Sequence, residues 1–209
     1  MELSVLNIKG EDTGKKVSVS EEIFGIEPNE HAIYLDVKLY LANQRQGTHK
    51  SKERAEINHS TRKIKKQKGT GGARAGSIKS PVFVGGGRIF GPRPRNYTFK
   101  INRKVKTLAR ISALSAKAKI DAISVLESFT FDAPKTKSYL TVLNSLSLVN
   151  TKTLLILPEV DSNVYLSSRN IPKAKVTTVD LVNTYDLMNA DRLLISESAL
   201  SNLETLLNK

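Results

Sequence analysis

Residues 63–95 read KIKKQKGTGGARAGSIKSPVFVGGGRIFGPRPR, a run from which no globular core can be made. The longer stretch that contains it, Gln46 to Thr98, holds nine of the twelve glycines and thirteen Lys or Arg against two acids, Glu53 and Glu56. Of its 53 residues 12 are apolar, three of them Ala. So little apolar surface cannot offset the entropy of ordering the chain. Loops of this length inside a compact domain are uncommon, and are generally functional or disordered. The stretch is expected to be an insertion that folds against something polyanionic.

Charge outside this stretch supports that division. The 209 residues carry a net charge of +13, and Arg45 to Arg110 holds 19 of the bases with only two acids. The remainder is left with 14 bases and 18 acids, an ordinary and slightly acidic balance. No acid occurs from Ile57 to Ile120. Solvated surfaces intersperse both signs, so an acid-free run of this length reads as a binding surface for phosphates or acidic lipids. The absence of cysteine excludes disulfides and thiolate metal sites. The N-terminal residues lack a basic segment followed by an apolar run, and no apolar run approaches the length of a membrane span. A cytoplasmic protein is the expectation.

The flanks carry secondary-structure periodicity. Short strands are predicted at Leu3–Ile8 and Lys16–Val19, and a helix over Asn29–Gln44 with Ile33, Val37, Tyr40 and Leu41 on one face. A second helix begins near Asn102, with Val105, Leu108, Ala109, Ser112 and Ala116 on one side and Arg103, Lys106, Arg110 and Lys117 on another. Because no acids interleave with these bases, they read as a phosphate-facing stripe rather than a solvated face. Strands then alternate with helices: Ala122–Leu126, Thr153–Leu157, Ala174–Val179 and Arg192–Ser196, separated by helices at Thr136–Leu148, Asn163–Arg169 and Val182–Met188 and followed by one at Ser198–Leu207. The expected fold is α/β, a mainly parallel sheet with flanking helices in a Rossmann-like topology, plus a long extended basic loop. Residues 1–45 and 99–209 would form the globular body, and 46–98 the loop inserted in it. As two extended legs the loop could reach up to about 85 Å, against a body with a radius of gyration of roughly 15 Å.

Sites other than a polyanion surface find little support. The glycine runs at Gly69 and Gly85 match neither nucleotide-loop pattern and lie between no strand and helix. Glycine there instead lets backbone N–H groups approach phosphate oxygens, with Lys and Arg supplying charge. His31, His49 and His59 have no metal-ligand spacing, Ser60-Thr-Arg-Lys63 lacks the partner segments of an acylating serine, and no carboxylate pair suggests acid–base work. No cofactor, metal or catalytic residue is expected. Phe83, Phe90 and Tyr97 either stack on exposed bases or anchor the base of the loop.

Particular segments carry a resemblance. Arg45-Gln-Gly-Thr-His-Lys50, Gln67-Lys-Gly-Thr-Gly71, Ala73-Arg-Ala-Gly-Ser-Ile-Lys-Ser-Pro81, Gly85-Gly-Gly87, Phe90-Gly-Pro-Arg-Pro-Arg95 and Ala113-Leu-Ser-Ala-Lys117 resemble, in this order, the bacterial-type large-subunit ribosomal protein four (L-four) family. Ala133-Pro-Lys-Thr-Lys137 and Ser168-Arg-Asn-Ile171 extend it into the second half. The resemblance implies a structural constituent of the large ribosomal subunit, a primary binder of ribosomal RNA near its 5′ end that acts early in assembly. It also implies a loop tip in the polypeptide exit tunnel, beside ribosomal protein twenty-two and the nascent peptide. Carried over by motif, Arg45, Arg62, Lys63, Arg74, Lys79, Arg88, Arg93 and Arg95 would contact RNA along the legs. The same basic run adds Lys50, Lys52, Arg54, Lys65, Lys66, Lys68 and Lys100 to the four cations of the helix stripe. The tip would comprise Lys65, Lys66, Gln67, Lys68, Gly69, Thr70, Gly71 and Gly72. Two positions depart from the family pattern: Ile64-Lys65-Lys66 stands where many members have Pro-Trp before their Arg-Gln-Lys, and Gly72 where many have Arg. The other readings are an RNA-modifying enzyme, which lacks a ligand loop here, and an RNA-binding regulatory factor that represses its own operon. Membrane-surface binding is disfavoured, because the basic run has no amphipathic apolar face.

Overall fold

The computed structural model describes residues 2–208. The chain opens with β1 (Glu2–Leu6) and β2 (Asp12–Ser18), followed by α1 (Glu21–Phe24) and α2 (Glu30–Asn43). After the basic stretch comes α3 (Arg103–Lys119). Strand and helix then alternate as β3 (Ile123–Leu126), α4 (Thr136–Ser145), β4 (Thr153–Leu157), α5 (Ser162–Ser168), β5 (Ala174–Thr178), α6 (Thr184–Asn189), β6 (Arg192–Ser196) and α7 (Glu197–Leu207). The fold is α/β. Its six strands form one mixed sheet in the order β2-β1-β3-β6-β4-β5, with β2 antiparallel to β1 and every other pairing parallel. The last strand thus lies inside the sheet, between β3 and β4.

Alternation along the strands explains why the sheet is covered on both sides. Leu154, Ile156, Leu193 and Ile195 pack with residues of α1, α3, α6 and α7, among them Phe24, Leu114, Leu187 and Leu203. Their neighbours in sequence, Leu155, Leu157 and Leu194, pack instead with Tyr139 and Leu143 of α4 and Val164 of α5. A strand buried on both faces has no polar side, which is why β4 reads as an uninterrupted apolar run. Each fully buried Leu or Ile here contributes about 1.5–3 kcal/mol relative to exposure.

Three expectations from periodicity are corrected. The buried residues of α2 are Ala32 and Leu39, whereas Leu41 is exposed. Apolar residues nearly encircle this helix, so spacing alone does not choose the packed side. In α3 Leu108 is exposed, and the buried face runs through Ala109, Ser112, Ala113, Leu114 and Ser115. Two of those serines bridge to other elements: Ser112 Oγ accepts from Asn29 N at 3.1 Å and Ser115 Oγ donates to Ile23 O at 2.7 Å. Helix α4 stops short of Leu148, because Ser147 turns left-handed at φ 57° and Leu148 N closes back on Leu143 O at 2.8 Å. That is the helix-ending turn usually made with glycine.

The chain divides into two compact units. Residues up to Leu41 and from Phe99 onward form one, with both apolar cores in it, and Ala42–Thr98 forms the other. Among the described residues of the second unit, Ala75 is the single buried hydrophobic side chain. That unit is held by backbone pairing and charge rather than by apolar burial.

Candidate nucleic-acid interface

The second unit consists of two antiparallel legs. Arg95 N donates to Gly47 O at 3.1 Å, Ser51 N to Pro92 O at 3.0 Å and Arg88 N to Lys52 O at 3.0 Å. Farther along, Ile64 N donates to Gly76 O at 3.0 Å, and Lys63 and Ser77 form an antiparallel bridge. Every one of these pairs brackets a point near Thr70, which puts Gln67–Gly72 at the turn between the legs. The flanking Gly69 and Gly71 have φ of 82° and 64°, a left-handed backbone that L side chains adopt at a cost. Where the legs are closest, glycine is required by space. A Cβ on Gly47 would lie 2.2 Å from Arg95 O, and one on Gly87 would lie 2.4 Å from Arg54 N.

The ring of Tyr97 is the fixed object at the open end of the legs. The Arg45 guanidinium lies over it at 3.8 Å and that of Arg95 at 4.6 Å, while the His49 ring is tilted against it at 6.5 Å. The hydrogen bond from Arg95 holds the Tyr97 phenol below its ordinary pKa. Two expected RNA ligands thereby face one aromatic plane, each with donors still available for phosphate. Tyr97 is also a residue whose role sequence reasoning left open between stacking and anchoring. Only the pairing of the legs brings Arg45 to it.

The two acids of this unit are both engaged. Glu53 pairs with Arg93 at 2.6 Å, and Glu56 pairs with Lys50. The Lys50 hydrogen bond, with help from the Glu53 backbone, holds the Glu56 carboxyl below its usual range. Glu53 and Glu56 also cap a single 3₁₀ turn over Arg54–Glu56 reciprocally. Lys50 and Arg93 are thus neutralised within the protein. From Ile57 through the turn to Arg88, no acid offsets the cations.

The structure places the predicted contacts unevenly. Arg45, Lys52, Arg54, Arg62, Lys63, Lys65, Lys66, Lys68, Arg74, Arg88 and Arg95 are exposed, as are Lys50 and Arg93 despite their partners; Lys79 is half-buried. Lys63 bonds the Gln67 side chain across the start of the turn. Arg62, Lys63, Lys65 and Lys66 line a cleft of about 600 Å³ with Ile64 and Ile78. In the first unit Lys100 and Arg103 are exposed, and Lys106 and Arg110 half-buried. Lys117 departs from the stripe: it is 8% exposed, and its ammonium donates to Ala190 O at 2.7 Å. Burial pushes its pKa down, opposed by the charge of Asp191. A group so held cannot also reach a phosphate. Phe90, by contrast, is 98% exposed, open for stacking, whereas Phe83 is half-buried.

The arrangement can hold a polyanion along two legs and a turn. Among the described residues no group of three or more His, Cys, Asp or Glu could hold a metal ion, and no helix is long and apolar enough to cross a membrane.

Comparison with known proteins adds an independent line. Residues 17–206 match the model of the ribosomal protein L4/L1 family. The chain is 66% identical over 208 residues to the large ribosomal subunit protein uL4 of Cytophaga hutchinsonii, covering 100% of both. It is 61% identical over 208 residues to uL4 of Phocaeicola vulgatus, again with 100% of both covered. With uL4 of Amoebophilus asiaticus it shares 64% identity over 203 residues, 97% of each chain.

Proposed function

Because this chain belongs to the ribosomal protein L4/L1 family, we propose that it is a non-catalytic structural constituent of the large ribosomal subunit, in the bacterial cytoplasm. Its task is to bind ribosomal RNA early in subunit assembly, near the 5′ end of the molecule, and to tie several RNA domains together. The observation that carries this reading is the pair of antiparallel legs whose cations, beyond Lys50 and Arg93, have no acid to neutralise them. Phosphates meet that need, and neutralising them releases the counterions that make such binding favourable.

In this reading the legs form an extended loop that penetrates RNA, inserted in a body with Rossmann-like layering. The turn over Lys65–Gly72 lines the polypeptide exit tunnel, in contact with the nascent peptide and beside ribosomal protein twenty-two. Left-handed Gly69 and Gly71 support a tip of fixed shape, and the Lys65–Lys66 pair gives it charge. If about eight phosphates are neutralised, log K for ribosomal RNA falls with log salt at a slope of about −6 to −7. A slope near −1 overturns the electrostatic mechanism. Release of the protein from large subunits in a high-salt gradient, with retention on messenger RNA, would favour a free regulatory factor instead.

A further inference from the structure

A groove runs along the end of the sheet at which β4, β5 and β6 finish. Two cavities of about 490 and 460 Å³ make it, and they share Leu157, Glu159, Val160 and Asp161. Leu157, Val160, Tyr165, Val176 and Leu181 form its apolar wall, with Val160 74% and Leu181 68% exposed. The segments that follow β3, β4 and β5 carry one sign of charge. Residues 127–134, 158–168 and 179–186 hold six acids and no Lys or Arg. Lys175 is the one cation on the wall, and Asp186 neutralises it at 2.6 Å. Glu159 and Asp180 are exposed and have no ion-pair partner among the described residues. Apolar side chains this open mark a docking surface, and unmet carboxylates around them select a cationic occupant while repelling RNA. The Tyr165 ring, also exposed, offers a face on which a guanidinium can rest.

The chain itself contains a segment of that chemistry. Residues 81–95, PVFVGGGRIFGPRPR, hold three arginines and no acid, and Pro92 and Pro94 favour an extended backbone. Val82, Val84, Ile89 and Phe90 are all exposed there. Phosphates account for the arginines and base stacking for Phe90, but the two valines and Ile89 gain little from either. Charge also favours contact between unlike parts of two copies: Arg45–Arg110 holds 19 bases against two acids, the remainder 14 against 18. Leg against leg repels, whereas leg against body attracts. We propose that in the RNA-free protein the groove seats residues 81–95 of a second copy, their apolar side chains on Val160 and Leu181 and their arginines facing Glu159 and Asp180. Seating is reciprocal, so the contact closes as a two-fold dimer instead of propagating. Ribosomal RNA competes for the same arginines and takes the dimer apart. That release step rests on the ribosomal reading above; the dimer does not.

Sedimentation velocity of the RNA-free, full-length protein across a concentration series tests this. A monomer–dimer equilibrium that weakens as salt rises is expected. V160S/L181S changes two exposed side chains outside both apolar cores, so it should weaken the dimer at least tenfold with an unchanged melting temperature. V82S/V84S should match it from the other side of the contact, and E159Q/D180N should flatten the salt dependence. A labelled peptide of residues 79–95 is expected to bind the wild type and to lose at least tenfold in affinity for V160S/L181S. Large-subunit ribosomal RNA, added in equimolar amount, should leave one protein per RNA. A monomer at every concentration overturns the second-copy assignment, and peptide binding in that case would give the groove to a cationic segment of another protein. A dimer unmoved by V160S/L181S overturns the groove, and one that persists on RNA overturns the competition. An RNA salt slope near −1 sinks the ribosomal reading and leaves the dimer standing.

Discussion

Replacing Tyr97 with Leu removes the ring on which Arg45 and Arg95 rest while leaving a shorter apolar side chain. The two guanidinium groups stand 3.8 and 4.6 Å from the ring centroid, well inside cation–π range. At exposed sites each such contact is worth a factor of about two to five in an equilibrium constant, so two together give about 5- to 30-fold. The loss falls on the order of the open end of the legs, where Arg95 N meets Gly47 O. Because RNA must then fix two loose arginines, the lost order appears as weaker binding. Neither apolar core includes Tyr97, so the melting temperature of the body is expected to stay within a degree or two. Filter binding to ribosomal RNA at fixed salt measures the first quantity and calorimetry the second. Tyr97→Phe serves as control: it keeps the ring and loses only the phenol hydrogen bond, so affinity should fall little. Equal losses for Leu and Phe, or no loss for Leu, would refute the clamp.

Other expectations are separable. Gly47→Ala puts a Cβ 2.2 Å from Arg95 O at a left-handed φ of 67°, so RNA affinity should drop at least tenfold; at Gly72 a Cβ meets nothing closer than the Lys65 ammonium at 3.5 Å, so Gly72→Arg should preserve affinity and steepen the salt slope by about one. Lys117 has its folded pKa below the ordinary 10.5, so the unfolded chain binds more protons between those two values and stability rises with pH across that window. Urea unfolding from neutral pH to pH 10.5 should show this rise in the wild type and lose it in Lys117→Met. Tyr139 is 1% exposed, its hydroxyl has no partner among the described residues and burial pushes its pKa up, so Tyr139→Phe should leave the urea midpoint unchanged or raise it. Amide exchange of the RNA-free protein should protect Ser51, Arg88 and Arg95 more than Ile64, with RNA removing the difference; uniform protection from Lys63 to Gly87 without RNA would contradict folding on binding.

How much of this could be read from sequence depends on whether the deciding contact is local. β4 and β6 were legible to the residue, because a strand covered on both faces needs apolar side chains at nearly every position. The end of α4 was hidden, since Ser147 takes a conformation that ordinarily announces itself with glycine. Lys117 was misread for a different reason. Helical spacing does place it near Arg103 and Arg110, but its acceptor lies 73 residues away, and helix geometry carries no information about that. The basic surface was plain from charge alone. The register of the two legs was not, for it depends on close approaches at Gly47 and Gly87 that appear in sequence only as two glycines among nine.

The placement of the two acids explains how one segment combines a defined geometry with a demand for RNA. A loop without carboxylates would have nothing to oppose self-repulsion, and one with interspersed carboxylates would satisfy its own cations and lose its reason to bind. Here Glu53 and Glu56 sit three residues apart and capture Arg93 and Lys50, one cation from each leg. The Arg93 pair crosses between the legs, the Lys50 pair stays within one, and the 3₁₀ turn holds both carboxylates in place. The Tyr97 contacts lie at the same end. From Ile57 through the turn to Arg88 no cation has a carboxylate partner among the described residues, so repulsion among them favours whatever conformation admits the most phosphate. Self-neutralisation at one end and unmet charge at the other divide the legs into a part ordered by the protein and a part that RNA is expected to order. Moving a single acid from position 56 toward the turn would be expected to weaken both.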